Sequence, residues 1–385
     1  MSIFKKAVLF LLSVTLLLTP LSQRSDALTE SNTPSVSAQS AVLIEYESGR
    51  TVYEKEADLT LPMASTTKIM TALVALEEMS PDTVITVDAS AVGTEGSSVY
   101  LCAGERLTLE QLLYALLLES ANDAAVAIAI GVAGSVKDFS DLMNKRAREL
   151  GLTDTHFENP HGLDHKEHYT TARELARITR AALENELFRT IASTRKTTIP
   201  HTEVEGVRLL VNHNKMLRMY EGCIGVKTGY TQRSGRCLVS AATRDGVTLI
   251  AVTLNAPNDW DDHTRMLDYG FSRFQSRKLC DANEILYPLC VVGGTDAYAM
   301  LGNKEDVSAV LPKEIGSIQT RMECRRFEYA EIIEGEVYGR AVFLSDTDGD
   351  GIPEEVGECP LVALYRVPKK PSKNKFSAWF TSFFD

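Results

Sequence analysis

Three short clusters, Ser65-Thr66-Thr67-Lys68, Ser120-Ala121-Asn122 and Lys227-Thr228-Gly229, carry the groups needed to make a serine hydroxyl react. A serine hydroxyl is a poor nucleophile until a base takes its proton. Ser65 and Lys68 are three apart, so on a helix they share a face. Pro62-Met63-Ala64 precedes them and places Ser65 near a helix start, where the positive dipole end favours negative charge at the reacting centre. No Ser-His-Asp arrangement is apparent, but a neutral lysine can act as the base. Burial and a second cation both depress a lysine pKa, and Lys227 is a candidate for that neighbour. The apolar flank Ile69-Met70-Thr71-Ala72-Leu73 favours partial burial of Lys68 over a solvated position.

The other two clusters supply supporting roles. A hydroxyl at Ser120 can relay a proton between lysine and a leaving amine. The Asn122 amide can hydrogen-bond a substrate peptide group; the plainer reading is a helix-cap pair. Lys227 and Thr228, side by side on a predicted strand, can grip a terminal carboxylate. Gly229 lets a substrate approach and pair with the strand edge. Any one cluster is weak, because an S-x-x-K tetrad arises about once by chance in a chain this long. Three in order, each in a fitting context, are far more specific.

The elements that must position them follow from pattern. Ala41-Val42-Leu43-Ile44 and Thr51-Val52-Tyr53 flank Ser48-Gly49-Arg50 as a β-hairpin. Helices are predicted over Thr66–Met79, Thr108–Leu118 with a Thr108/Gln111 capping box, Val136–Leu150 and Thr171–Leu183. Strands return at 225–228, 237–242 and 248–254. This order describes an α+β unit, one antiparallel sheet with helices packed on it. After Phe274 short apolar runs at 290–292, 307–310, 341–344 and 361–364 alternate with Gly, Lys and Asp, the texture of a small all-β domain. The expected division is a catalytic unit over 41–275 and a β-sandwich-like unit over 276–367.

The ends differ. Lys5 and Lys6 precede an apolar stretch from Ala7 to Leu18, too short to span a bilayer comfortably and suited to a signal peptide over 1–27, cleaved after Ala27; a short membrane anchor is the other reading. Residues 28–40, rich in Ser, Thr, Pro and Gln, read as a flexible lead. Within 368–385, Lys369, Lys370, Lys373 and Lys375 precede Phe376, Trp379, Phe380, Phe383 and Phe384 at helical spacing, a basic amphipathic tail for a membrane interface. The alternative is a tail packed on its own protein or disordered.

The 385 residues carry a formal net charge of -12, which argues against nucleic-acid binding. The seven cysteines form no C-x-x-C pair. Cys223 and Cys237 could face each other across a hairpin, but unpaired thiols are the favoured reading. His161, His165 and His168 cluster, but without H-E-x-x-H they are read as loop residues rather than zinc ligands. Asp346-Thr347-Asp348-Gly349-Asp350-Gly351 resembles the start of a calcium loop, yet Gly357 stands where an EF-hand needs Glu, so an acidic hairpin turn is favoured. No metal or organic cofactor is expected.

The three clusters resemble the S-x-x-K, S-D-N and K-T-G set of penicillin-recognising serine enzymes. The middle cluster here is Ser-Ala-Asn. With Leu118 to Ala125, Asn159 to Asp164, Tyr169 to Ala176 and Gly225 to Thr231, it resembles the low-molecular-mass D-alanyl-D-alanine carboxypeptidases over roughly residues 40–274. The resemblance implies a penicillin-recognising transpeptidase/β-lactamase-like catalytic fold that acts on D-Ala-D-Ala ends of peptidoglycan stem peptides. Ser65 would be the nucleophile, Lys68 its base and Ser120 the relay. Asn122, Lys227, Thr228 and Gly229 would bind substrate, and the backbone N–H groups of Ser65 and Tyr230 would form the oxyanion hole. β-Lactam antibiotics would acylate Ser65, and the protein would be secreted to the extracytoplasmic face and held at the membrane. Two alternatives stand. One is a β-lactamase, for which Glu158 is the only nearby deacylating candidate. The other is a non-catalytic peptidoglycan-binding module.

Overall fold

The computed structural model describes residues 33–202 and 205–371. The expected signal peptide, and the tail from residue 372, lie outside them. The central sheet has five strands in the order β2-β1-β9-β8-β7. These are β1 Ser40–Glu45, β2 Thr51–Lys55, β7 Cys223–Thr231, β8 Gly235–Arg244 and β9 Val247–Leu254. Two small ladders precede β7: β3 Val84–Thr86 with β4 Arg106–Thr108, and β5 Lys196–Pro200 with β6 Val207–Val211.

β1 is buried along its whole length. Successive side chains in a strand point to opposite faces, and this strand supplies apolar groups to both. Ala41 and Leu43 join Leu249, Met266 and Leu267 beneath the Asp259–Arg273 helix. Val42 and Ile44 join Ile250 and Val252 in the larger core built by the other helices. That second layer holds the Lys68–Glu78, Leu109–Leu118, Asn122–Ala133, Val136–Glu149 and Ala172–Glu184 helices. The Leu109–Leu118 helix opens with both arms of the Thr108/Gln111 capping box. Its apolar surface is matched by the Asn122–Ala133 helix, a second apolar element that the sequence pattern alone had left as a motif after a helix.

Beyond Phe274 the chain is all β. β10 Phe274–Cys280 pairs with β13 Val307–Pro312. A six-stranded sheet follows in the order β14-β16-β17-β12-β11-β15, from β11 Leu286–Val292, β12 Tyr298–Gly302, β14 Gln319–Cys324, β15 Glu328–Tyr329, β16 Val337–Ser345 and β17 Glu354–Ala363. Its separate core includes Leu289, Leu301, Phe343 and Leu361.

One expectation needs correction, and one reading left open is decided. The supposed flexible lead is docked over its last residues: Val36 and Ala38 are buried, and the Asp262 carboxylate accepts from the Ser37 and Ala38 N–H groups at 2.9–3.0 Å. Cys223 and Cys237 do not face each other. Cys223 stands opposite Ala242, and Cys237 opposite Gly229, near the other end of the same ladder. Burial raises both thiols to about 11, so they stay protonated.

Candidate active site

Ser65 lies in a single 3-10 turn, Ala64–Thr67, that runs directly into the Lys68–Glu78 helix. The turn begins at Ala64 with φ of 48°, a left-handed conformation costly for a residue with a Cβ. The reversal presents Ser65 at the mouth of the helix while Lys68 drops into the core. Lys68 is fully buried. Its Nζ lies 3.0 Å from Ser65 Oγ, 2.7 Å from Asn122 Oδ1 and 2.6 Å from the His161 carbonyl oxygen.

Those three partners fit both charge states of the amine: an ammonium donates to all three, Ser65 Oγ included. Asn122 Oδ1 and the carbonyl oxygen can only accept, so each takes one N–H of the amine. A neutral amine has two N–H groups and one lone pair. In that neutral form the lone pair is left for the Ser65 hydroxyl, the arrangement a general base requires. Electrostatics favours this form. Burial, and then the charge of Lys227, push the Lys68 pKa well below its usual value. Lys227 is itself buried, and desolvation lowers it to about 7.

The scaffold behind the pair is equally specified. Asn122 opens the Asn122–Ala133 helix, and its Nδ2 donates to the Glu95 carbonyl. Both ends of its amide are therefore held by the protein, so its first role is to seat Lys68 rather than to meet a substrate. Ser120, at φ 59°, makes the left-handed link between the two apolar helices. Neither it nor Asn122 caps a helix with its side chain. Ser120 is 6% exposed, and its hydroxyl has no hydrogen bond among the described residues.

β7 is an edge strand of the central sheet and passes beside the nucleophile turn. A Cβ on Gly229 would sit 3.0 Å from the Ser65 nitrogen and 3.1 Å from Ala64 Cβ. Gly229 thus lets the strand approach Ser65 itself, where the sequence reading had reserved the space for substrate. Lys227 Nζ donates to the Thr228 carbonyl at 2.9 Å. Tyr230, opposite Arg236 on β8, is 66% exposed.

The 155–168 loop, from which the sequence offered Glu158 as a deacylating candidate and Asn159 to Asp164 as part of the family resemblance, braces the site. Gly162 packs on the nucleophile turn so closely that a Cβ would lie 1.9 Å from the Ala64 oxygen. His168 Nδ1 accepts from the Glu158 N–H at 3.0 Å, so its Nε2 carries the proton and donates to Thr67 Oγ1 at 2.8 Å. Thr67 Oγ1 in turn donates to the Ala64 oxygen at 2.8 Å. Burial holds both His161 and His168 neutral, with pKa values lowered to about 3. Both ring nitrogens of His168 are thereby spent on orienting the turn. Glu158 approaches His156 and His165, at 3.7 and 4.0 Å, and makes no hydrogen bond to Ser65 or Lys68 among the described residues. The signals for this loop were the cluster of His, Gly and Asn around a turn and the resemblance carried by Asn159 to Asp164, and neither gave it the bracing role. Asp346, Asp348 and Asp350 lie far along the chain in the β16–β17 turn, their carboxylates accepting from N–H groups of that turn.

An edge strand carrying Lys-Thr-Gly, closed over a Ser-x-x-Lys helix start, is set in the fold of the penicillin-binding DD-peptidases. The sequence profile of the D-alanyl-D-alanine carboxypeptidases, peptidase S11, matches residues 27–258, and the chain belongs to that family. It is 30% identical over 342 residues to the D-alanyl-D-alanine carboxypeptidase DacF of Bacillus subtilis, covering 86% of each chain. It is 29% identical to the D-alanyl-D-alanine carboxypeptidase DacC of Escherichia coli, covering 91% of each. Among solved structures, penicillin binding protein 5 from Haemophilus influenzae superposes with a TM-score of 0.67 at 28% identity, over 87% of this chain and 99% of that one. The Streptomyces K15 DD-transpeptidase matches with a TM-score of 0.59 at 36% identity, over 62% of this chain and 99% of that one.

Proposed function

We propose that this chain removes the terminal D-Ala of peptidoglycan stem peptides through an acyl-enzyme on Ser65. The observation that carries the reading is a buried, pKa-depressed Lys68 with its amine 3.0 Å from Ser65 Oγ. Ser65 Oγ attacks the carbonyl carbon of the penultimate D-Ala as its proton passes to Lys68. Charge gathers on the carbonyl oxygen, which the N–H groups of Ser65 and Tyr230 receive, each donor worth about 3 kcal/mol in the transition state. Lys68 returns the proton through Ser120 to the nitrogen of the departing D-Ala, the C–N bond breaks, and Ser65 is left as an ester. Water then attacks the ester as Lys68 takes its proton, the bond between the acyl carbon and Ser65 Oγ breaks, Lys68 returns the proton to Oγ, and the shortened peptide leaves with a new terminal carboxyl group. Lys227 and Thr228 receive the substrate's terminal carboxylate.

β-Lactams enter the same path and acylate Ser65. Glu158 has no contact with the reacting pair that would speed release, which favours a peptidase over a β-lactamase. Labelled penicillin separates the readings. Stable covalent label on wild type and none on Ser65→Ala supports the peptidase. Rapid turnover of the label points to the lactamase, and an unlabelled wild type to a binding module. D-Ala release from an acyl-D-Ala-D-Ala peptide checks the activity directly.

The leader over 1–27 and the tail over 368–385 support export to the extracytoplasmic face with the tail resting at the membrane interface. Among the described residues no helix is long and apolar enough to cross a membrane. Retention in the membrane fraction at low salt, lost on removing residues 372–385, tests the placement.

A further inference from the structure

The long β16–β17 hairpin has two ends with different surroundings. Its turn faces the catalytic unit, where Arg50 pairs with Glu354 and donates to the Thr347 carbonyl. β17 runs from there to Ala363, a span of about 30 Å at roughly 3.3 Å per residue. The opposite end gathers exposed apolar groups: Val292, Tyr298, Phe327, Tyr329, Ile333 and Tyr365. Phe327 and Tyr329 meet edge to face at 5.5 Å, and Tyr329 stands in register with Val292. The exposures of Tyr329 (65%) and Tyr298 (59%) show that these rings cover no core. Soluble surfaces seldom leave such a cluster without a use.

The chain leaves the described structure at this same end. Lys369 bridges to Gly294, and the Lys370 N–H donates to the Gly293 oxygen at 2.9 Å, one residue from Val292. Lys369 and Lys370 are exposed, as are Arg325 and Arg326 next to Phe327. Arg325 is paired with Glu328, and Arg366 with Glu331. Asp296 lies beside the Gly293-Gly294 turn and exposed Glu334 and Glu336 follow Ile333, while Arg326, Lys369 and Lys370 form no ion pair among the described residues. From Lys370 the sequence continues with Lys373, Lys375 and five aromatic residues.

We propose that this distal pole of the β domain is itself a lipid-contact surface, its aromatic cluster entering an anionic membrane interface beside the tail. The proposal rests on the reading of the tail as a membrane anchor. Aromatic rings favour the headgroup layer, and neighbouring Lys and Arg are drawn to anionic lipid. One weak anchor gives only marginal, reversible binding, whereas two on one body act together because the first holds the second at high effective concentration. A rigid second contact also fixes how the β domain stands on the membrane, with the catalytic unit at the far end of β16 and β17.

The test is flotation of the chain from Leu28, which keeps every described residue, with phosphatidylcholine vesicles containing or lacking phosphatidylglycerol. Two pole variants, Phe327→Ser/Tyr329→Ser and Tyr298→Ser/Tyr365→Ser, are compared with a tail variant, Trp379→Ser/Phe380→Ser. D-Ala release from a soluble peptide serves as the folding control. Each pole variant is expected to lower the partition coefficient for anionic vesicles by about tenfold with peptide hydrolysis unchanged. If both active pole variants bind like wild type while the tail variant does not, the pole proposal is wrong and the tail reading stands. If wild type fails to float with either vesicle, both are wrong.

Discussion

Lys68 and Lys227 are two buried lysines that reach the same site from different elements, and neither is hydrogen-bonded to a carboxylate among the described residues. Their tasks demand opposite charge states. Lys68 must be neutral to take the Ser65 proton, while Lys227 must be cationic to hold a carboxylate.

The pH profile should record this opposition. As pH rises, kcat/KM climbs while Lys68 deprotonates, then falls as free Lys227 loses its proton near its value of about 7. Lys227→Arg should carry the falling limb above about pH 9, because a guanidinium stays charged. Lys227→Met should move the rising limb to higher pH, since removing the neighbouring cation relieves Lys68. Profiles of the two variants that superpose on wild type would remove Lys227 from the site.

Asn122→Asp isolates the amide's role. A carboxylate at Oδ1, 2.7 Å from Lys68 Nζ, stabilises the ammonium form and disarms the base. Activity at neutral pH should drop by about a hundredfold or more and recover partly at high pH. A residue that only touches substrate would raise KM and leave the pH limb in place.

Gly162→Ala tests the brace. Its φ is 91°, and the added Cβ would lie 1.9 Å from a backbone oxygen of the nucleophile turn. The turn must shift, at a cost of about 2 kcal/mol or more. The expected signature is a fall in penicillin acylation rate larger than the fall in Tm warrants, read by labelling kinetics beside thermal melting. Unchanged acylation would show that the loop does not hold Ser65.

Acid should unfold the protein through its buried imidazoles. His161, His168 and His263 all have pKa values lowered to about 3 by burial. The unfolded chain takes up protons below about 6.5 while the fold resists, so stability is lost as pH falls from there towards 3. His263→Gln keeps a polar group near Thr253, whose hydroxyl bonds His263 Nε2 at 2.9 Å, and should flatten the denaturant midpoint against pH in that window. An unaltered slope would assign the acid sensitivity elsewhere.

Arg208→Ala should destabilise strongly, because Glu105 is fully buried with Arg208 as its ionic partner. Stranding that carboxylate costs about 3–5 kcal/mol. Arg208→Ala/Glu105→Gln should recover much of the loss in urea melts.

Residue types and order determined a good deal. Apolar periodicity located the β1–β2 hairpin, the capped Leu109–Leu118 helix, the three later strands of the sheet and the short β runs after Phe274. Spacing alone put Ser65 and Lys68 on one helical face, the three clusters in order pointed to the penicillin-recognising enzymes, and the stretches around them pointed to the carboxypeptidase family. Only the tertiary structure decided which groups meet. Local pattern carries no information about contacts between distant segments, so the His161 carbonyl on Lys68, the Asn122 amide turned inward and Gly162 pressed on Ala64 were invisible in it. The same limit hid the mismatch of Cys223 and Cys237, because strand register is set by how whole faces bury. It is burial in the finished fold, not the identity of the residue, that makes Lys68 a base.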